Sequence, residues 1–373
     1  MVLKMLHKFK RTGRVHNMIQ NNIEFFNVGS LETKEAIPGL ILQRFPQDVR
    51  HKMGRANYEK GRFKGQTSSG CEIRFVTDSS AVRVVLATIE CAGDICVYIG
   101  DYFHSIHRLA AGVQTPILID LSDRFLSLRE DTEGTGRFSP MLWRFVVSRG
   151  LGSMDIFSVA LQDIDAFGHE IRPPYENEVP NVKWLAYGSS ITHGSGAIIN
   201  HNSYIQQAAR RLGVDVLNKG IGGACYCEPE MADYFAAEEW DFATLEIGVN
   251  MRGQFAPQEF EDRVRYICGK VLESHPKKPI FLITIFPNHS DLAKEKESKS
   301  GECNRIFKEI LRKLYKELDN PHLYLIEGDN VLTDFRALTC DLIHPSDYGH
   351  ILMGENLAEQ LLPVLAQYGI MNQ

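Results

Sequence analysis

The stretch LAYGSSITHGSG, at 185–196, begins as an apolar run and breaks into glycine and hydroxyl residues, with Ser189 and Ser190 side by side at the break. Three more polar or glycine-rich breaks follow: NKGIGG at 218–223, GVN at 248–250 and DLIHP at 341–345. These residue types suit acyl transfer. A serine hydroxyl is a weak nucleophile and needs a base. His344 can supply it, and Asp341, three residues earlier, can hold the imidazole in one tautomer and stabilise its cation. The oxyanion of a tetrahedral intermediate needs donors aimed at it. The main-chain N–H groups of Ser190 and Gly223 and the side-chain amide of Asn250 would provide three, and glycine at 223 lets the backbone approach without a Cβ. Each motif alone has an ordinary reading as well: a helix cap, a strand-to-helix turn, a surface Asp–His pair. Their common placement at the ends of apolar runs favours the chemical one.

The elements that must position these residues fall into two patterns. From about residue 20 to 170 the chain reads as short strands: 23–28, 39–44, 72–77, 81–89, 94–99, 116–121, 141–148 and 156–162. Turn-forming clusters separate them, at 78–80, 92–94 and 133–136, and no helical stripe interrupts the series. This predicts a β-sandwich or jelly roll. The proline-rich, charged segment HEIRPPYENEVPNVKW at 169–184 reads as a linker. The division predicted is a sandwich domain at 1–175 and a second domain at 176–373.

The second domain alternates strand and helix. Near-continuous apolar runs at 182–188, 214–220, 242–248, 279–286 and 323–329 suit strands buried on both faces of a parallel sheet. Asn202 or Ser203 can cap a helix ending at Gly213, Pro257 fits a first helical turn, and Ile306, Ile310, Leu314 and Leu318 form one stripe. A last helix is expected at about 348–367. This predicts an open, doubly wound α/β domain, whose ligands bind beyond the carboxyl ends of the strands.

GSSIT, NKGIGG, GVN and DLIHP, in this order, resemble the four blocks of the GDSL, or SGNH, hydrolase family over about residues 182–368. The resemblance implies a flavodoxin-like three-layer α/β/α fold with Ser190 as nucleophile, His344 as base and Asp341 as its orienter. It implies Ser190, Gly223 and Asn250 as oxyanion donors. Ser190 is chosen over Ser189 by register, because Ile191 and Thr192 align with the family block. Two positions depart from the pattern: Ser189 stands where aspartate is usual, and Met251 follows Asn250 where aspartate is common. A sandwich followed by such a domain resembles two-domain bacterial carbohydrate acetyl esterases. That implies a serine esterase acting on small acyl esters, acetyl above all, of a carbohydrate. Two alternatives stay open: an acyltransferase using the same acyl-enzyme, and a carbohydrate-binding protein with an inactive hydrolase domain.

Other residues carry weaker signals. His193 and His201 could line the pocket or be loop residues, and Arg252 could meet a substrate hydroxyl or carboxylate. Asp101, His104 and His107 read as a packed or surface group rather than metal ligands, and the Cys225–Cys227 pair is too little for a metal site. Glu228 and Glu230 read as ordinary acids near a helix start. Trp184 and Trp240 read as core. No metal or organic cofactor is implied.

Bulk properties limit the partners. A net charge of −6 gives no reason to expect nucleic acid. No apolar run is long enough to span a bilayer. Residues 1–17 are basic but lack the apolar core and cleavage site of a secretory signal; a basic amphipathic segment at 1–18 is the other reading. The eight scattered cysteines then read as reduced thiols in a cytoplasmic protein. The partner expected is a small-molecule or oligosaccharide ester, with a homo-oligomer left open.

Overall fold

The structure, a computed structural model, describes residues 18–35, 37–54, 59–128, 136–151, 156–292 and 299–371. The basic segment 1–17 and most of the turn cluster at 133–136 lie outside the described residues. The first part contains eleven strands: β1 (Met18–Gln20), β2 (Ile23–Phe26), β3 (Ser30–Lys34), β4 (Ile37–Gln43), β5 (Glu72–Val76), β6 (Ala81–Thr88), β7 (Gly93–Ile99), β8 (Tyr102–Leu109), β9 (Gln114–Asp120), β10 (Leu142–Gly150) and β11 (Val159–Asp165). They form two antiparallel sheets, ordered β1-β2-β5-β10-β7-β8 and β3-β4-β11-β6-β9. The inward residues of both sheets, among them Phe75, Trp143, Phe145, Val84 and Leu86, make one buried core. Three short helices interrupt the series, against the expectation: α1 (Gln47–Lys52), α2 (Lys60–Gly65) and α3 (Asp123–Leu126). Each is too short to show an amphipathic stripe.

The second part has a five-stranded parallel sheet: β12 (Lys183–Gly188), β13 (Asp215–Gly220), β14 (Phe242–Glu246), β15 (Ile280–Ile283) and β16 (Leu323–Ile326). Their order is β13-β12-β14-β15-β16, the doubly wound arrangement expected. The helices are α4 (Ser190–His193), α5 (Tyr204–Leu212), α6 (Pro229–Ala237), α7 (Pro257–Ser274), α8 (His289–Leu292), α9 (Lys299–Leu318), α10 (Gly328–Val331) and α11 (Asp347–Gln367). Gly213 ends α5 in the left-handed conformation, and Pro257 opens α7 at a position with no hydrogen bond to lose. Separate apolar clusters cover the two faces of the sheet, with Trp240 in one and Trp184 in the other. No helix among the described residues is long and apolar enough to cross a membrane.

The two parts share core. Phe26, Phe45, Val49 and Met53 of the first part pack in the same buried cluster as Tyr187, Leu217, Tyr226 and Met231 of the second. Buried ionic and polar contacts frame that cluster. Arg74 holds Asp215 through two hydrogen bonds, at 2.6 and 3.0 Å. Arg44 donates to the carbonyls of Gly220 (2.8 Å) and Asn218 (3.3 Å), and Lys219 Nζ donates back to Arg44 O at 2.9 Å. The expected linker is pinned as well: Arg172 pairs with Val76 through main-chain bonds and with Glu178 through its guanidinium.

Candidate active site

The first polar turn follows β12. Ser189 is extended and caps α4, its hydroxyl accepting from Ile191 N at 3.1 Å. Gly194 ends this single helical turn in the left-handed conformation. The turn separates the two serines. Ser189 faces inward, where its N–H and hydroxyl both donate to Glu246 Oε2 at 2.7 Å. Ser190 faces outward, and its Oγ lies 2.7 Å from His344 Nε2. Thr192 joins the inner group, donating to the same Glu246 oxygen at 3.1 Å and meeting Tyr204 OH at 2.7 Å. Burial raises the Glu246 carboxyl to about 7, although the Ser189 and Thr192 donors pull it down.

His344 lies in the loop before α11. Its Nδ1 is 2.6 Å from Asp341 Oδ2. The other carboxylate oxygen accepts from His344 N (2.9 Å), Ile343 N (2.9 Å) and the Thr339 hydroxyl (2.8 Å). Partial burial opposes the Asp341 charge. The donors from His344, Ile343 and Thr339 outweigh it and hold the carboxyl below its ordinary range. An ionised Asp341 must face an Nδ1–H, which leaves Nε2 to accept the serine proton. Gly196 sets the loop from the other side. Its φ is +96°, and a Cβ there would run into Pro345 O and lie 3.4 Å from His344 Cβ.

Gly223 and Asn250 follow β13 and β14, on the same sheet edge. A Cβ on Gly222 would lie 3.7 Å from Ser190 Cβ, which places this turn against the serine. Gly223 has φ +70°, a conformation that favours glycine. Cys225 N–H donates to Asn250 Oδ1 at 3.2 Å, so the amide nitrogen of Asn250 is the end left over. Among the described residues, the N–H groups of Ser190 and Gly223 and the Asn250 amide nitrogen have no protein acceptor. This corner therefore holds three unpaired donors beside a hydrogen-bonded serine and histidine.

The remaining candidates have identifiable neighbours. The His193 imidazole is buried without a partner for Nε2, and burial beside Arg44 and Lys64 lowers it to about 3. His201 packs on the Tyr98 ring of the sandwich, 4.5 Å between centroids. Arg252 donates to Asn288 Oδ1, Ser290 Oγ and Asn304 Oδ1, at 2.8, 3.1 and 3.1 Å. It braces the segment after β15. Glu228, read as an ordinary helix-start acid, is buried, accepts from Gly54 N at 2.8 Å and is raised by burial to about 7. Glu230 is the ordinary one, in the first turn of α6. Asp101 faces Arg137 and Phe138 N rather than His104 and His107, which share Ser105 Oγ. Cys225 and Cys227 are buried in the core.

Sequence reasoning missed Glu246 and Lys60. The signal for Glu246 was present in FATLEIG, where one acid closes an otherwise apolar buried strand. Lys60 of α2 lies over Gly223 from the other part of the chain, and no local pattern announces that contact.

Comparison with known proteins bears on the fold and the family. The chain resembles the solved structure of the salicylyl-acyltransferase SsfX3 from a tetracycline biosynthetic pathway, with a TM-score of 0.73 and 15% identity over 94% of this chain and 96% of that one. A GDSL-like lipase from Bacteroides ovatus gives 0.64 and 17%, over 94% and 99%. A family two carbohydrate esterase from Clostridium thermocellum, in complex with cellohexaose, gives 0.57 and 15%, over 80% and 93%. These likenesses establish the two-part fold. A further match, to the cysteine S-methyltransferase NleE of Escherichia coli O157:H7, is 22% identical over 170 residues, covering 44% of this chain and 74% of that one. Residues 183–365, which carry the serine turn, the two donor turns and the Asp–His loop, match the model of the GDSL-like lipase/acylhydrolase family, and this part of the chain belongs to that family.

Proposed function

We propose that the protein is a serine esterase that removes a small acyl group, acetyl above all, from a carbohydrate or similar polyol. The observation that carries this reading is the continuous path from Asp341 to His344 to Ser190, with hydrogen bonds of 2.6 and 2.7 Å, beside three N–H donors that have no acceptor among the described residues. In the reaction Ser190 Oγ bonds to the ester carbonyl carbon while His344 Nε2 takes the hydroxyl proton. The carbonyl oxygen becomes an oxyanion, which the Ser190 and Gly223 N–H groups and the Asn250 amide receive. Collapse breaks the bond to the alcohol, and His344 passes its proton to the leaving oxygen. Water, deprotonated by His344, then attacks the acyl-serine. The acid departs and Ser190 recovers its proton.

The experiment is labelling with a fluorophosphonate followed by intact-protein mass spectrometry. One adduct, mapped to Ser190 and absent in Ser190→Ala, is expected. Full turnover of 4-nitrophenyl acetate by Ser190→Ala would sink the assignment. The fold likeness to a salicylyl acyltransferase over 94% of the chain favours a second reading, transfer of the acyl group to an alcohol or amine. Product analysis with candidate acceptors separates the two.

A further inference from the structure

Lys60 opens helix α2, in the sandwich part of the chain, yet it reaches the donor turn of the other part. A Cβ on Gly223 would lie 2.8 Å from Lys60 Cε and would run into Nζ. The ammonium therefore sits directly against the residue whose N–H faces no acceptor among the described residues. Its position is built rather than incidental. Val49 and Met53, just before it, insert into the core shared with the hydrolase part. Gly54 N–H is tied to Glu228. Gly61 and Gly65 let α2 lie close on residues 53–54, since a Cβ on either would meet Gly54 N or Met53 Sδ at 2.8 Å.

Lys60 has no hydrogen bond or ion pair with another described residue. Its neighbour Glu59 is paired with Arg62, at 2.9 Å. Arg44 donates to carbonyl oxygens of Thr67, Lys64, Asn218 and Gly220. Lys219 donates to Arg44 O and Tyr234 OH. The nearby Glu228 carboxyl is raised toward neutrality by burial. His193, beside Arg44 and Lys64, is a neutral imidazole. A half-buried ammonium with no partner among the described residues is well placed to take an anion.

We infer that Lys60 is a specificity-determining residue that binds a carboxylate carried by the substrate close to its scissile ester. This rests on the esterase reading above and narrows its substrate class to acidic esters. The carboxylate can belong to the acyl part or to the alcohol part, and the two are separable by experiment.

The test compares kcat/KM for matched charged and neutral esters: 4-nitrophenyl hemisuccinate against 4-nitrophenyl butyrate for the acyl side, and 3-acetoxybenzoate against phenyl acetate for the alcohol side. In Lys60→Gln the charged-to-neutral ratio is expected to fall about 10- to 100-fold for one pair, the size of a charge-assisted hydrogen bond. That pair identifies which side carries the carboxylate, and Lys60→Arg restores part of the ratio. Arg62→Gln, which removes a charge from the same helix, leaves the ratio unaltered. Equal loss on charged and neutral esters would assign Lys60 to the oxyanion instead and overturn the inference, as would no change in either ratio. Calorimetric binding of succinate and of 3-hydroxybenzoate needs no turnover. Weaker binding of one of them to Lys60→Gln supports the inference even if the wild type cleaves no ester, a result that would defeat the esterase reading alone. Equal binding of both overturns the inference.

Discussion

Glu246 Oε2 accepts both the main-chain N–H and the hydroxyl of Ser189, each at 2.7 Å, and so anchors the residue immediately before the serine that meets His344. Aspartate is usual at position 189 in the resembled family pattern. Here a serine occupies it, and the carboxyl comes from the neighbouring strand instead.

That carboxyl makes stability depend on pH. Burial raises Glu246 from 4.5 to about 7, so the folded protein binds its proton more tightly than the unfolded chain. Its contribution is full below pH 4.5 and is lost as pH rises through 7. Gln at this position keeps an oxygen for Ser189 without the titration. Urea unfolding at pH 5 and pH 8 is expected to show Glu246→Gln gaining on the wild type by up to about 3 kcal/mol across that range. A constant difference between the two proteins would refute the placement of this carboxyl. Glu228 adds a slope of the same sign to both proteins and cancels in the comparison.

Removing the nucleophile and removing its orienter should differ in degree. Ser190→Ala is expected to lower kcat on 4-nitrophenyl acetate by a factor on the order of 10⁴ or more. Asp341→Asn keeps the shape of the loop but offers His344 Nδ1 a donor as readily as an acceptor. A loss of roughly 10² to 10⁴ is expected, read in the same assay with fluorophosphonate labelling slowed in parallel. Rapid labelling of Asp341→Asn at the wild-type rate would show that the imidazole does not depend on Asp341.

Gly196 controls where His344 stands. Gly196→Ala forces a side chain into the left-handed region and against Pro345 O. The loop must shift, and a displacement of about 1 Å is expected to lower kcat about 10- to 100-fold with a smaller change in KM. A crystal structure of the variant with Pro345 unmoved and full activity would contradict this.

The junction between the two parts is a stability element. Asp215→Ala leaves the Arg74 guanidinium buried with only Glu72 and Glu24 beside it. A loss of about 2 to 4 kcal/mol is expected in chemical unfolding, with both parts unfolding in one transition. Two separate transitions in the wild type would show that the shared core does not couple them.

Much of this arrangement was legible in the sequence because it depends on short-range pattern. Apolar runs ending in glycine located β12, β13 and β14, and helix signals at Gly213 and Pro257 fell where α5 ends and α7 begins. Ser190 could be proposed because it stands at one of those ends, and Asp341 and His344 because DLIHP is a polar break just before the last helix. Arg252 could not be placed by the same reasoning. Its proximity to Asn250 in sequence suggested a shared pocket, but its hydrogen-bond acceptors, Asn288, Ser290 and Asn304, are distant along the chain and carry no local signal. Lys60 was invisible for the matching reason: its neighbour, Gly223, is far along the chain and in the other part. Helices α1 and α2 escaped because six residues give no periodicity to read.

Phe26, Phe45, Val49 and Met53 find their cover in residues made much later. During synthesis the sandwich leaves the ribosome first, with these side chains bare and Arg74 lacking Asp215. A fragment ending at the 169–184 segment would keep them bare for good, and would be prone to aggregate. The serine-bearing half expressed alone would in turn lose Lys60 and expose Tyr226 and Met231. The two halves are thus bound to be inherited, expressed and engineered as one piece.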